Sequence, residues 1–354
     1  MIPDPSVSEW ALIVALVLAR LLVPLLIPRF ELLIVVALVL DAVDNSLLAA
    51  FTDVDLGPDG PYQSVDKALD IYYLAIAYVS MLRNWTSHAA FRIGQFLFYY
   101  RLVGVLAFEL LDSRAMLLVF PNTFEFFFIV HAVVALRWDP ATWSPRFWLW
   151  TAIVLWVCVK LPQEYWIHIA QRDFTDTVAD HPWVGVLSAL GVLALVALFQ
   201  LVARPRMPEP DHGWQLAAAP VPHRPPAPHG VPWRALAEKA VLLGLLAILF
   251  AEILPHVETT ALEVAIAVVA IVAANEAISA RFGLAELPAL LVVNLGLIFL
   301  ASRFFTPVEN FPLGTALFFA FLISVLTWLY DRCKPVHEAR FATAPRPAAR
   351  SAPV

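Results

Sequence analysis

The chain has 354 residues, 61% of them hydrophobic and 15% charged, with a formal net charge of −6. A water-soluble domain carries about 25% charged residues, so this composition, with a mean hydropathy of +0.76, excludes an ordinary soluble fold. The acidic balance and the lack of a basic block exclude nucleic-acid binding. The two cysteines, Cys158 and Cys333, have neither the number nor the spacing of a disulfide framework or a metal knuckle.

The fold class expected is all-α: a polytopic helical membrane protein with about eleven transmembrane helices. In chain order the spans fall at 9–28, 30–51, 63–83, 90–111, 114–136, 147–162, 183–203, 235–255, 261–280, 285–302 and 311–330. Met1–Glu9 has no basic n-region, and no A-x-A site closes the first run. A retained helix is therefore expected rather than a signal peptide. The sixth span is short if it ends at Pro162, unless it continues as a broken or interfacial helix over 162–172.

Arginine and lysine in short loops set the orientation. The N-terminus lacks both and is placed outside. Arg29, Arg83, Arg92, Arg137 and Arg146 then fall inside. So do Arg204, Arg206, Arg224 and Arg234 of a proline-rich stretch, and Arg332, Lys334, Arg340, Arg346 and Arg350 at the end of the chain. The weak exceptions are Arg114, Arg172 and Arg303. The division expected is a seven-helix bundle, 1–203; a semi-extended cytoplasmic linker, 204–234; a four-helix bundle, 235–330; and a disordered cytoplasmic tail, 331–354. Four lysines against nineteen arginines, in a chain rich in Ala, Val and Leu, point to a GC-rich bacterial genome and hence a bacterial plasma membrane.

Ionisable residues inside spans are costly and mark functional sites. They concentrate in the first six spans. Asp41 and Asp44 are three apart and share a helix face. Asp66 and Asp70 are four apart and share another, with Lys67 in reach of Asp70. The orientation puts all four aspartates toward the outer side, next to a loop with Asp53, Asp55 and Asp59. Like charges so close hold a proton or recruit a cation, and an all-oxygen set suits a hard divalent ion such as Mg²⁺ or Ca²⁺. Arg20, Lys67 and Arg101 are the candidate counter-charges.

The fourth span carries Arg92, Gln95 and Tyr99 on one side and Arg101 and Glu109 on the other, so it belongs inside the bundle or beside a wet cavity. Arg101, near mid-span, is expected to pair with Glu125, or else with Asp44, as a gating pair. Pro121 opens the fifth span and kinks it beside Asn122 and Glu125. His131 stands alone, and a satisfied helix-contact histidine is expected. Lys160, Glu164 and His168 follow i, i+4, i+8 spacing, with Gln163 beside them; these four are expected at the mouth of the cavity.

Part of this stretch resembles the metal-binding signature of the CDP-alcohol phosphatidyltransferases. Asp41-x-x-Asp44 matches its opening and Asp66 its last aspartate. Asn45, Ala49, Pro58 and Tyr62 stand where that signature needs Gly, Arg, Gly and Asp. That family's site also opens to the cytoplasm, so the chain is not assigned to it. No HExxH, HxxxH or GxSxG motif is present.

The expected function is membrane transport, through an outward-facing, carboxylate-lined cavity for a cation or a proton-coupled solute. One alternative is an intramembrane metal-dependent enzyme acting on a lipid or lipid-linked phosphate at the outer leaflet. A second is an assembly or scaffold subunit. The expected partners are the bilayer and a small ion, solute or lipid substrate, with oligomerisation left open.

Overall fold

The computed structural model describes residues 7–52, 61–111, 113, 115–170, 174–198, 200–201, 204–219, 233–253, 261–282, 287–305 and 313–342. Among these, all regular structure is helical. Helix α1 is Val7–Leu22, and Pro24 turns it into a 3-10 segment at Val23–Leu26. Then come α2 (Leu33–Phe51), α3 (Pro61–Asn84) and α4 (His88–Leu111). Pro121 splits the fifth predicted span into α5 (Ala115–Val119) and α6 (Thr123–Ala135). Proline lacks the amide that would continue the helix, so the chain restarts beyond it.

Ser144 caps α7 (Pro145–Val154) by accepting from the Phe147 amide at 3.2 Å. That helix does not stop at Pro162. It runs on through π-turns at Leu155–Lys160 and Tyr165–Ile169, on either side of α8 (Leu161–Glu164). The wider turn before Pro162 makes room for a ring that would clash with the carbonyl four residues earlier. The remaining helices are α9 (Phe174–Asp180), α10 (Pro182–Leu198), α11 (Trp233–Ile253), α12 (Ala261–Phe282), α13 (Leu287–Phe305) and α14 (Leu313–Ala342).

A helix or helix run lies at each of the eleven stretches expected to span. Among the described residues, four helices are long and apolar enough to cross a membrane: Val7–Leu26, His88–Leu111, Ala115–Ala135 and Ala316–Phe341. Their surfaces fit a lipid solvent. On α1 the exposed stripe is Val7, Trp10, Val14, Leu18 and Leu22, while Arg20 lies on the buried side. A water-facing helix has the opposite arrangement.

Helix α3 is the hub. It packs against α1, α2, α4, α11 and α14, and most of Ala68–Leu82 is inaccessible. A helix enclosed by protein need not be uniformly apolar, and α3 carries Asp66, Lys67, Asp70 and three tyrosines, Tyr72, Tyr73 and Tyr78, between Val65 and Asn84. One hydrophobic cluster joins α3 residues such as Tyr72 and Ile76 to Leu242, Leu246, Leu322 and Leu326. Residues before and after the proline-rich stretch thus share a core. Gly104 lets α4 touch the Pro121 break: a Cβ there would collide with the Phe120 side chain.

Two stretches differ from expectation. Residues 204–219, expected as part of a linker, are strapped to the ends of other helices. The amides of His212, Gln215 and Ala218 donate to the carbonyls of Arg137, Leu136 and Arg29, and the Arg137 guanidinium covers the Trp214 ring. Backbone groups with such partners are fixed whatever the proline content. Residues 331–342, expected to be disordered, continue α14. There Arg340 donates to the carbonyls of Arg83 and Trp85 at 2.8 Å, completing the C-terminal end of α3. Asp53, Asp55 and Asp59, Arg114 and Arg172, the stretch 220–232 and the tail 343–354 lie outside the described residues, as does the side chain of His168.

Candidate functional site

The four aspartates singled out in the sequence meet at one side chain. Arg20 is 4% exposed. Its Nη1 donates to Asp44 and Asp66, and its Nη2 to Asp41 and Asp70. The helical spacings explain the convergence. Asp41 and Asp44 share one face of α2, and Asp66 and Asp70 share one face of α3. The two helices pack together, and α1 packs on both.

A guanidinium presents five N–H donors in a planar fork and can serve several oxygens at once. Its single charge cannot balance four carboxylates. Counting these five described side chains alone, the cluster carries a formal surplus of three negative charges. Asp44 is fully buried, while Asp70 keeps two-fifths of its side chain accessible. Oxygens of Asp41, Asp66 and Asp70 lie within 4.8 Å of one another, close enough to hold one metal ion. The donor set is oxygen only and suits a hard cation.

Lys67 does not join this cluster. It pairs with Glu109 at 3.2 Å and lies over the Phe108 ring. Glu109 therefore balances a lysine at the edge rather than acting at depth.

The expected Arg101–Glu125 pair is not formed. Arg101 donates to the Phe120 carbonyl at 3.1 Å. That carbonyl is exposed because Pro121 ends the helix there. Glu125 is 2% exposed and has three other contacts. The Tyr73 hydroxyl donates to it, the Asn122 side-chain amide donates at 3.2 Å, and Lys160 Nζ lies 3.8 Å away. Tyr73 is three residues after Asp70 on α3 and so links the aspartate cluster to Glu125. Sequence reasoning missed Tyr73. Its signal was the Asp66, Asp70, Tyr73 spacing of i, i+4, i+7.

The predicted mouth residues divide. Lys160 and Glu164 are buried. Glu164 accepts from the Asn122 backbone amide at 3.0 Å, and Lys160 covers the Phe126 ring at 4.2 Å. The π-turns on either side of α8 change the helical phase and turn both groups toward α6. Gln163 is exposed and faces away.

Beyond Glu125 along α6 lies an aromatic layer. Phe124, Phe127, Phe128, Trp85 and Trp148 are fully buried and stack edge to face or tilted. His131 lies beyond them, stacked on Trp85 with ring centroids 3.8 Å apart. Against expectation it is not a satisfied contact: neither ring nitrogen has a hydrogen-bond partner.

A second polar region went largely unread in the sequence. Lys239 binds Asp331 at 2.7 and 2.9 Å and lies 3.6 Å from Glu276. Lys334 pairs with Glu238, which also accepts from Tyr78 at 2.9 Å. Asn275, Asn294 and Ser324 form a buried hydrogen-bonded row.

Comparison with known protein families, with curated proteins and with solved structures finds no match to this chain.

Proposed function

We propose that the chain is a membrane transport protein whose outward-facing site, built on Arg20, Asp41, Asp44, Asp66 and Asp70, binds a cation or protons. In this reading about eleven helices cross a bacterial plasma membrane, with the N-terminus outside and the C-terminus in the cytoplasm. The aspartate cluster then lies in the outer half and the proline-rich stretch on the inner side.

The observation that carries the reading is the charge surplus. A purely structural ion pair is balanced, because an uncompensated buried charge is strongly destabilising. Four carboxylates on one guanidinium need further positive charge, and a bound cation or shared protons supply it. The partly accessible Asp70 gives such a charge a route in and out. Tyr73 and Glu125 continue the line of exchangeable groups inward, and the aromatic layer below them seals the path.

The enzyme reading needs Lys160 or Arg101 to hold a phosphate. Lys160 lies against Glu125 and Arg101 is engaged by the Phe120 carbonyl, so transport is preferred.

The test is cation and proton flux into proteoliposomes carrying the protein, its Asp70→Asn variant and the Asp44→Asn/Asp70→Asn double variant. Flux falls to background and loses its pH dependence in the variants. Unchanged flux with unchanged pH dependence in correctly folded variants contradicts the assignment.

A further inference from the structure

Glu125 and His131 stand on either side of the aromatic layer. They are six residues apart on α6, about 9 Å along the helix axis. Phe128 follows Glu125 at i+3 and precedes His131 at i+3, on one ridge of the helix. On the Glu125 side the polar groups are paired. Tyr73 and Asn122 donate to Glu125, and Lys160 Nζ lies 3.8 Å away. A carboxylate left there after loss of a proton keeps these three partners.

On the other side His131 is 1% exposed, and neither ring nitrogen has a hydrogen-bond partner among the described residues. The indole N–H groups of Trp85 and Trp148, whose rings stack on or tilt against the imidazole, are buried and unbonded too. Buried polar groups are almost always paired, with water where protein supplies no partner. Three such side chains in one place mark a hydrated spot. The water has a source, because His131 lines a cavity of about 440 Å³ at the opposite end of α3 from the aspartates. Arg83 of that cavity is thirteen residues beyond Asp70, about 20 Å along the helix axis. The start of α2, the ends of α3 and α6, and α14 form the walls, and strap residues 212–219 roof it. Its charges offset one another. Glu31 lies 3.8 Å from His131 Nδ1 and acts on both Arg83 and Arg340, with Asp139 and His212 at the rim.

We propose that His131 carries protons between Glu125 and the inner cavity, and that the proton is the ion passed on from the Arg20 site. The assignment rests on the transport reading of that site. In each transfer the O–H bond of a protonated Glu125 breaks and an N–H bond forms at His131 Nε2, through water admitted when the Phe128 side chain turns. The imidazolium then loses its Nδ1 proton to Glu31 or to cavity water, and the ring regains its first tautomer by turning over. A Mg²⁺ or Ca²⁺ ion has no such route. It needs six or more oxygen ligands around it, and the fully buried Phe124, Phe127 and Phe128 offer none from their side chains. A metal ion at the aspartates therefore competes with protons there and is not carried through.

The test is flux into proteoliposomes of the full chain, driven by a potassium diffusion potential and read with internal pH-sensitive and divalent-metal dyes. The parent carries protons and moves neither Mg²⁺ nor Ca²⁺. His131→Gln lowers proton flux about a hundredfold, the lower end of what a positioned acid–base group supplies. His131→Ala does the same. Added imidazole restores flux to that variant, while pyrazole, a ring of the same size and a far weaker base, does not. A histidine that only fills space is rescued by both rings or by neither. The ion selectivity of the parent tests the inference even where the variants fail to fold. Metal flux without proton flux overturns the inference and leaves the transport reading standing. Proton flux that survives His131→Gln, or that pyrazole restores as well as imidazole, does the same. No flux of either ion in the parent overturns both.

Discussion

Arg20 and Lys239 are both almost fully buried cations, and the chain surrounds them differently. Lys239 sits between Asp331 and Glu276, and the neighbouring Lys334 engages Glu238. That seam joins α11, α12 and α14 with two cations and three carboxylates, the third of them more than a third accessible. Among the described residues, Arg20 faces four carboxylates. Near-balance is what helix registration requires, and the seam contains little more. The aspartate cluster holds more like charge than one guanidinium balances, and the proposed transport function rests on this contrast.

The comparison is broken first at Arg20. Arg20→Leu leaves four clustered carboxylates without their guanidinium, one of them fully buried. A loss of about 3–5 kcal/mol is expected, read as loss of folded, monodisperse protein or as a large drop in unfolding midpoint. Adding Asp44→Asn to that variant recovers part of the loss. The seam responds differently. Lys239→Met takes the buried ammonium from between Asp331 and Glu276 and costs about 3 kcal/mol. The Lys239→Met/Asp331→Leu double variant returns close to the parent stability, because a buried pair is replaceable by apolar groups of similar size. Flux is unchanged in that double variant. The smallest effect is expected at Asn294, which accepts from Asn275 and donates to Ser324 at 2.9 Å each. Asn294→Ala lowers stability by about 1 kcal/mol, since hydrogen bonds between helices in membranes are modest. Unfolding in detergent micelles checks all three.

Much of the first region was legible because its signals are local. The spacings Asp41–Asp44 and Asp66–Asp70 put each pair on one helix face, and Arg20 was one of three candidate counter-charges, with Lys67 and Arg101. What could not be read was partner choice among distant helices. Arg101 was matched to Glu125 on depth alone, but the break at Pro121 offers the Phe120 carbonyl nearer to hand. Lys160 and Glu164 were expected at a cavity mouth; both are buried, and the π-turns that orient them leave no periodic signature. The seam was missed because Glu238 and Lys239 lie near the start of one expected span, and Asp331 and Lys334 just past the end of another, where charges are ordinary. By composition residues 204–219 read as part of a semi-extended linker and 331–342 as disordered. They are ordered by backbone hydrogen bonds and by Arg340, contacts that span tens to hundreds of residues in sequence.

The central claim is that an exchangeable proton or cation neutralises the charge surplus around Arg20. Infrared difference spectroscopy of the protein in lipid, titrated in pH and then with Mg²⁺ or Ca²⁺, tests it most directly. The account predicts a protonated-carboxyl band that disappears as pH rises, or is displaced or shifted when the cation is added, and that is absent from the Asp70→Asn and Asp44→Asn variants. A carboxyl spectrum that ignores pH and both cations, and is the same in parent and variants, would contradict it.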